Sequence, residues 1–262
     1  MTKWATSLVA VGIFSVPVSG GLVDTVVDTT LGGATVDGTV GVDEYVGTVS
    51  GGGGGFGGPI GGATLHLDSD ANGIYMGLAN LGDYTNNAIR VFFDTKPGGF
   101  TSNAGFDDKA DFGRERLSEI AGPLNFPFAA DYGLIISPAF GGFQALFELA
   151  EGGDGSLIFA GSGVIASTVG ENPTASTFEI FIPYSNLGIS AGDNVDFVVM
   201  YANHDSPAFV SDEGFPTQGF EGNPGSGEVT LSNFHRLTTV PEPAGLALLG
   251  LGALVGLRRR RS

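Results

Sequence analysis

Short apolar segments separated by turn residues are the feature that most restricts what this chain can fold into. Eight segments of six to nine residues are rich in Val, Ile, Leu and Phe, with glycine, asparagine, aspartate or proline between them. Segments of this composition and length are typical of strands. The predicted strands are 63–68, 73–80, 88–94, 132–137, 143–149, 157–163, 177–183 and 195–203.

Two of these strands show how the sheets are covered. Residues 195–203 are apolar at almost every position, which predicts a strand buried on both faces. Residues 177–183 alternate, which predicts one inner face and one outer face. The inner residues are Phe178, Ile180 and Ile182, and the outer residues are Thr177, Glu179 and Phe181. The sequence therefore predicts an all-β fold, a two-sheet antiparallel β-sandwich of jelly-roll-like form.

The segments between the strands favour tight turns. Asn72-Gly73 predicts a hairpin between the first two strands, and residues 190–194 predict a turn before the last one. Only residues 112–122 look helical, with Gly122 as the predicted end. The glycine-rich segment 50–59, SGGGGGFGGP, predicts a mobile loop within the sheet region.

Charge is distributed very unevenly along the chain. Residues 21–240 hold 27 acidic and 6 basic side chains, a formal charge of −21. Such a body repels phosphate backbones, so nucleic acid is excluded as a partner. The chain has no cysteine, so neither disulfides nor thiolate metal sites are available.

The amino-terminal segment has the order of a secretory signal. Lys3 precedes the apolar run 8–14, and small residues follow around Gly20. This order predicts a signal peptide over 1–20, although a buried first strand or helix is the alternative.

The carboxyl-terminal segment combines an apolar run with a basic end. Residues 244–257 form a 14-residue run without a polar side chain, about 21 Å long as a helix. The run is short for a bilayer core, but a cluster of four arginines follows it, as in a cytoplasmic anchor. The sequence therefore predicts a short transmembrane helix. The cluster is Arg258, Arg259, Arg260 and Arg261.

This ending resembles the PEP-CTERM sorting signal of exported bacterial proteins. The matching residues are Val240, Pro241, Glu242 and Pro243, the Gly- and Leu-rich run, and the closing arginines. The resemblance implies recognition by an exosortase-type membrane protease and a transient anchor in the inner membrane. It also implies release of the body at the cell envelope, the cell surface or the extracellular matrix.

The body resembles the carbohydrate-binding family 9-like or DOMON-like β-sandwiches over most of 35–235. The resemblance rests on VDGTVGVDEY, GIYMGLAN, NNAIRVFFDTKPGG, AADYGLIIS and FEIFIPYSNLGISAGDNVDFVVMYAN. It implies sugar binding for members that have an aromatic platform. The only tryptophan, Trp4, lies in the predicted signal peptide. The best ring for stacking on a sugar is therefore absent from the predicted mature domain.

One segment has half of a calcium-loop pattern. Asp68, Asp70 and Asn72 alternate before Gly73, which suits oxygen ligation of calcium. Ala79 stands where a closing glutamate belongs, and a plain hairpin turn explains the same residues. No cofactor other than such a calcium ion is expected. A second acidic cluster is expected to be a solvated loop, with oxygen ligands as the alternative; it consists of Asp107, Asp108 and Asp111.

No arrangement of residues in the chain indicates a reaction. Three histidines, His66, His204 and His235, have no metal-ligand spacing. No serine has the context of a nucleophile elbow, and no lysine follows the glycines as in a phosphate loop. The chain is therefore predicted not to be an enzyme.

Aromatic rings are the remaining candidates for a ligand face. Most tyrosines are expected to be core residues, whereas rings in the glycine-rich loops are more suggestive of contact with a ligand. The tyrosines are Tyr75, Tyr84, Tyr132, Tyr184 and Tyr201, and the loop phenylalanines are Phe100, Phe106, Phe215 and Phe220.

These observations predict a signal peptide (1–20), a β-sandwich domain (21–240) and a sorting tail (241–262). The predicted function is that of an exported, non-catalytic surface or matrix protein in contact with extracellular polysaccharide. Two alternatives stay open, a secreted carbohydrate-active hydrolase and a purely structural calcium-dependent matrix protein.

Overall fold

The computed structural model of the chain describes residues 21–30, 32–82, 87–137, 142–153, 155–167 and 176–241. The predicted signal peptide and the predicted transmembrane helix of the tail lie outside these residues. Within the described ranges, no helix has the length and apolar character needed to cross a membrane.

Sixteen strands and two short helices make up the described chain. The first half contains β1 (Gly21–Val27), β2 (Gly47–Ser50), β3 (Thr64–Ser69), β4 (Gly73–Leu81), β5 (Ala88–Asp94), β6 (Phe100–Ser102), α1 (Phe112–Ser118), β7 (Leu124–Ala130) and β8 (Tyr132–Ser137). The second half contains β9 (Phe143–Glu148), β10 (Ile158–Gly161), β11 (Val164–Ser167), β12 (Ser176–Pro183), α2 (Tyr184–Leu187), β13 (Asn194–Ala202), β14 (Val210–Phe215), β15 (Val229–Thr230) and β16 (Asn233–Thr238).

Two large sheets form the predicted sandwich, which is thereby confirmed. The first sheet has eight strands in the order β1-β16-β13-β5-β8-β9-β10, with β14 also paired to β13. The second sheet has five strands in the order β11-β12-β4-β3-β2. All eight predicted strands are present, with ends that shift by no more than two residues.

A third, three-stranded sheet, β15-β7-β6, was not indicated by the sequence. Two strand pairs are also parallel, β1 with β16 and β15 with β7. The third sheet and α1 cover the outer face of the eight-stranded sheet, so that the described chain has two hydrophobic cores instead of one.

The central strand β13 contributes to both cores, as its continuous apolar sequence predicts. Phe197, Val199 and Tyr201 pack between the two large sheets. Val198 and Met200 face the other way, toward the third sheet and α1. Side chains of a strand alternate between faces, so a strand buried on both sides needs apolar residues throughout.

The helix α1 ends earlier than predicted, at Ser118 instead of near Gly122. Glu119 leaves the helical conformation, and its carbonyl accepts a hydrogen bond from Ala208 N. Ala121 N in turn donates to the Ala208 carbonyl. Pairing with this neighbouring segment therefore ends the helix before a glycine is reached.

Glu179 of β12 was predicted on the outer face of the sandwich, but it is fully buried. Residues 37–45 cover it from outside the sheet. Its carboxylate accepts hydrogen bonds from Asp37 N (3.1 Å), Gly38 N (2.7 Å) and Tyr45 Oη (2.6 Å). The apolar residues of β12 do face the core between the sheets, as predicted. Residues 37–45, however, cover the opposite face at Glu179 and bury it as well.

The glycine-rich segment 50–59, the glycine loop, wraps around two carboxylates of β14. Asp212 Oδ1 accepts hydrogen bonds from Gly54 N and Gly55 N at 3.0 and 2.8 Å. Glycine allows this close approach, since a Cβ at Gly55 would lie 2.7 Å from the backbone of Gly222.

Glu213 is the second carboxylate held by the glycine loop, and it is fully buried. Its Oε1 accepts from Phe56 N (2.8 Å) and Gly58 N (3.2 Å), and its Oε2 accepts from Ile60 N (3.1 Å). The low-complexity segment is thus a specific structural element, whereas the sequence had suggested only a mobile loop.

Candidate functional site

The candidate site lies on the outer face of the eight-stranded sheet, beside α1. Asp111 begins this helix as its N-cap and accepts a hydrogen bond from Arg114 N at 2.9 Å. Asp108 is buried, contrary to the expected solvated loop, and accepts from Ala110 N and Leu157 N. These aspartates fix the position of α1, which brings Phe112 and Arg116 to the sheet.

Arg90 of β5 is the centre of the site. Its side chain is fully buried, and Nε donates a 2.7 Å hydrogen bond to the Arg116 carbonyl. Its Nη1 and Nη2 have no hydrogen-bond partner in the part of the chain that the structure describes. Burial, together with the nearby Arg116 guanidinium, lowers the pKa of Arg90 to about 9.

Arg116 is the second cation of the site. Its guanidinium lies 4.7 Å from the centre of the Phe112 ring, a cation–π distance. Nη1 is 3.1 Å from a carboxylate oxygen of Glu115 but forms no hydrogen bond with it. Nε is also without a hydrogen-bond partner among the described residues.

Aromatic rings line the same site. Phe112 stacks on His204 at 5.8 Å and contacts Phe143 edge-on at 5.3 Å. Phe112 and Phe143 are 37% and 36% exposed, which is unusual for rings in this protein. Burial, followed by the charges of Arg90 and Arg116, lowers the pKa of His204. We call Arg90, Arg116, Phe112 and His204 the arginine cluster.

A buried serine hydroxyl on the same face of the sheet as Arg90 also lacks a hydrogen-bond partner among the described residues. Arg90 pairs with Ile135 of β8, and Ser137 stands two residues further along the same face. Ser137 Oγ is buried and has no hydrogen-bond partner among the described residues. The same is true of Ser118 Oγ, at the end of α1. Buried polar groups are usually satisfied, so several unsatisfied groups on one face suggest a ligand.

The other cations of the body are paired, which makes Arg90 distinctive. Lys96, Lys109, Arg114 and Arg236 each form an ion pair with an acidic side chain. Arg116 lies within ion-pair distance of Glu115 but forms no hydrogen bond with it through Nη1. Only Arg90 has no carboxylate within 4 Å in the described ranges, although residues 21–240 contain 27 acids.

The predicted calcium residues do not converge on one point. Asp68 is buried and accepts from Ser69 N. Asp70 closes the predicted turn by accepting from Asn72 N (2.6 Å) and Gly73 N (3.0 Å). Among the described residues, no group of three or more His, Asp or Glu side chains could hold a metal. Calcium binding stays a prediction.

The aromatic candidates from the sequence are mostly core residues. Three of the tyrosines and Phe215 are at most 6% exposed; the tyrosines are Tyr132, Tyr184 and Tyr201. Phe106 is 7% exposed, Tyr75, Phe100 and Phe220 are half-buried, and Tyr84 lies outside the described residues. Phe112 and Phe143, the exposed rings of the site, were missed because they belong to a predicted helix and a predicted strand.

A separate cleft of about 370 Å³ lies at the edge where β1 and β2 meet. His235 lines it and is buried, with neither ring nitrogen hydrogen-bonded among the described residues. Among the described residues that line it, Asp24 is the one carboxylate, 3.9 Å from His235 Nδ1. Burial lowers the pKa of His235, although the charge of Asp24 acts in the opposite direction.

The sorting residues lie at the carboxyl end of the described chain. Val240 is buried and Pro241 is half-buried. Glu242, Pro243 and the four closing arginines lie outside the described residues, so their predicted roles stay predictions.

Comparison with known proteins gives one family match and a distant structural likeness. Residues 239–261 match the PEP-CTERM protein-sorting motif. Two similar solved structures are of a carbohydrate binding module family 9 from Caldicellulosiruptor kristjanssonii, one in complex with cellotriose and one with glucose. Each is 12% identical and covers 84% of this chain and 97% of its own, with TM-scores of 0.39 and 0.38. No curated protein sequence matches the chain.

The matched motif contains the Pro-Glu-Pro element, the apolar run and the closing arginines that the sequence had singled out. Proteins with this motif are exported and held transiently in the membrane before they reach the cell surface or the medium. The chain is therefore an exported protein that carries a PEP-CTERM sorting motif.

Proposed function

We propose that this protein is a non-catalytic component of the cell surface or extracellular matrix. Its tail is processed by an exosortase-type membrane protease, as the sorting motif implies. Its folded body binds acidic sugar units of the extracellular polysaccharide at the arginine cluster.

The observation that carries this proposal is the unpaired guanidinium of Arg90. A buried charge without a partner is costly, and proteins normally pair it or neutralise it. Nη1 and Nη2 of Arg90 have no partner among the described residues, in a body with 27 acids that could have supplied one. Because Nη1 and Nη2 are buried, an anionic group from outside the chain would reach them only when Phe112 and its helix α1 move aside, and it would then remove this cost.

The surrounding groups suit a sugar carboxylate. Arginine presents parallel N–H donors that match the two oxygens of a carboxylate. Arg116 adds a second cation, and the exposed faces of Phe112 and Phe143 offer apolar contact to the sugar ring. A uronic acid unit combines the charge and the apolar ring face that this site would accept.

The net charge of the body predicts an unusual salt dependence. A formal −21 repels an acidic polymer as a whole, while the arginine cluster attracts one of its units. Salt screens the long-range repulsion more than the contact within a partly buried site. Binding should therefore strengthen as salt rises from about 10 to about 100 mM and weaken only at higher salt.

The alternatives have less support. A hydrolase needs two carboxylates that converge in a cleft, and the described lining of the cleft at β1 and β2 contains one, Asp24. A calcium-dependent structural role would need ligands that converge, and Asp68 and Asp70 are engaged in local hydrogen bonds.

Titration calorimetry tests the proposal, with the exported protein and polygalacturonate as the acidic polymer. Dextran is the neutral comparison. We expect saturable binding of polygalacturonate and at least tenfold weaker binding by Arg116→Gln. Arg236→Gln is the matched control, because it removes a cation that is already paired with Asp196 at 2.5 Å.

Three results would contradict the proposal. Equal binding of dextran and polygalacturonate would show that charge is not recognised. Equal losses in Arg116→Gln and Arg236→Gln would show that the cluster is not the site. The absence of binding heat with both polygalacturonate and the producer's own polysaccharide would refute the proposed glycan binding.

A further inference from the structure

The cleft at β1 and β2 is a second candidate site, separate from the arginine cluster. β1 is the last strand of the eight-stranded sheet, and β2 is the last strand of the five-stranded sheet. The cleft between these two edges has a volume of about 370 Å³, within the range of small-molecule pockets. We call it the edge cleft.

His235 of β16 is the buried polar group of the edge cleft. Its side chain is 3% exposed, and neither ring nitrogen has a hydrogen-bond partner among the described residues. The Phe197 ring contacts the imidazole, with 5.8 Å between the ring centres. Buried polar groups normally have a partner, so an imidazole without one in the wall of a cleft indicates a ligand.

A β-bulge in β1 brings a carboxylate to this imidazole. Leu22 pairs with Phe234. The next pair is Asp24 with His235, so Val23 is an extra residue in β1. Bulges commonly redirect a side chain next to a site, and here the bulge gives Asp24, instead of Val23, the position opposite His235.

The spacing of the two polar side chains leaves room for a donor between them. Asp24 Oδ2 lies 3.9 Å from His235 Nδ1, which is too long for a direct hydrogen bond. A single group that donates about 2.9 Å hydrogen bonds to both atoms fits this separation. The Asp24 side chain is 63% exposed, so it can turn outward to admit such a group while the strands stay paired.

The lining of the edge cleft favours a cation. Among the described residues that line it there is no lysine or arginine, and Asp24 is the one carboxylate. Thr48 and Ser50 add hydroxyl oxygens that can accept hydrogen bonds. The formal charge of −21 on residues 21–240 also attracts cations to the protein.

An ammonium group suits these acceptors better than a metal ion does. No three His, Asp or Glu side chains of the described chain could hold a metal together, whereas metal sites usually have at least three protein ligands. An ammonium group has three N–H donors and can donate to a carboxylate and to a neutral imidazole at once. The lowered pKa of His235 favours the neutral ring.

We propose that the edge cleft binds the primary ammonium group of a small ligand, with Asp24 Oδ2 and His235 Nδ1 as its two acceptors. An amino sugar and a free diamine both present this group. The proposal is independent of acidic-sugar binding, because the arginine cluster and the edge cleft take ligands of opposite charge.

Titration calorimetry of the exported protein with glucosamine, 1,4-diaminobutane and N-acetylglucosamine tests the proposal. We expect one saturable site for an amine, and about tenfold weaker binding of N-acetylglucosamine, because acetylation removes the charge and two N–H donors. Tighter binding of glucosamine would identify an amino sugar as the source of the ammonium group. Tighter binding of 1,4-diaminobutane would identify a diamine.

Three variants locate the site. Asp24→Asn should weaken amine binding about tenfold, and it changes an exposed side chain that the fold does not need buried. His235→Phe keeps a ring beside Phe197, removes the acceptor and should weaken binding about fivefold. Glu221→Gln, which removes an exposed acid outside the cleft, is the matched control and should bind as the wild type does.

Salt gives an independent readout. Amine binding should weaken as salt rises from about 10 to about 100 mM, because salt screens the attraction of the acidic body for a cation. Acidic-polymer binding at the arginine cluster should strengthen over the same range.

Three results would overturn the proposal while leaving acidic-sugar binding untouched. The first is the absence of saturable binding of both amines. The second is equal binding of glucosamine and N-acetylglucosamine, which would show that the charge is not recognised. The third is an equal loss in Asp24→Asn and Glu221→Gln, which would show general attraction to an acidic surface.

Discussion

Glu213 and Arg90 are both fully buried charged side chains, and they differ in what the chain places around them. The glycine loop and the residue after it, Ile60, direct three backbone N–H groups toward the carboxylate of Glu213. The arginine cluster gives Arg90 one carbonyl, for Nε, and nothing for Nη1 and Nη2 within the described residues. The fold therefore supplies hydrogen-bond donors for the charge of Glu213, whereas the described residues supply no acceptors for Nη1 and Nη2 of Arg90.

The difference separates a structural charge from a binding charge. Backbone donors held by a glycine-rich loop stabilise a carboxylate without any ligand, so Glu213 should matter for folding. A cation with free donors is a cost to the folded state, so Arg90 should matter for binding. Substitutions at the two sites should therefore move stability in opposite directions.

The largest effect is expected from Glu213→Leu. This change leaves the N–H groups of Phe56, Gly58 and Ile60 without acceptors and should lower the free energy of unfolding by about 5 kcal/mol. Urea denaturation measures it, with the exposed Glu221→Gln as the control. A loss below about 1 kcal/mol would mean that the loop does not depend on Glu213.

Stability is expected to depend on pH through Asp68, a buried acid whose hydrogen bonds do not offset the cost of burying its charge. Burial and the hydrogen bond to Asp28 raise the pKa of Asp68 from 3.8 to about 7. Between pH 4 and 7 the folded state keeps a proton that the unfolded state has lost, so stability falls as pH rises. The fall attributable to Asp68 is at most about 4 kcal/mol.

Asp68→Asn should remove this component, because the amide has no proton to lose. Denaturation at pH 4 and pH 8 measures the change, and the wild type should lose more stability than the variant over this range. An identical fall in both proteins would show that Asp68 does not carry the effect.

Within the glycine loop, two neighbouring glycines provide a matched pair. Gly53 has φ +89°, and a Cβ there would lie 2.4 Å from the Asp212 carbonyl oxygen. Gly53→Ala should cost about 3 kcal/mol. Gly54 has no atom within 4 Å of an added Cβ, so Gly54→Ala should cost under about 1 kcal/mol. Thermal unfolding distinguishes the two, and equal costs would contradict the described path of the loop.

A modest gain in stability, opposite in sign to the other changes, is expected from Arg90→Met. It removes a buried charge at the cost of one hydrogen bond to the Arg116 carbonyl. The net change should be a gain of about 1 to 2 kcal/mol, together with loss of polygalacturonate binding. Urea denaturation measures the gain. A loss of stability would instead show that the Arg90 charge stabilises the fold, as the Glu213 charge does.

The strands could be predicted because their apolar patterns are local. Residues 88–94 and 132–137 even have the predicted ends, and both are wholly or almost wholly buried. The partners of Glu213 could not be predicted, because they lie more than 150 residues away and are backbone groups. Glycine-rich sequence indicates freedom of the backbone, but not what the backbone will surround.

One residue of the site could have been recognised from the sequence. Arg90 interrupts the apolar run AIRVFFD, and a charge within a strand buried on both faces calls for an explanation. Phe112 and Phe143 gave no such signal, since their exposure depends on how α1 and β9 pack. Because residues 21–240 contain no tryptophan, tyrosines were the expected ring contributors, but most of them are core residues.

The most direct test of the distinction between the two charges is the NMR signal of the arginine side chains during titration with a galacturonic acid oligomer. Arg90 and Arg116 Nε–H signals should shift together and saturate, while Arg236, already paired with Asp196, should not move. If none of the three shifts, or if all shift equally, the free donors of Arg90 do not form a binding site.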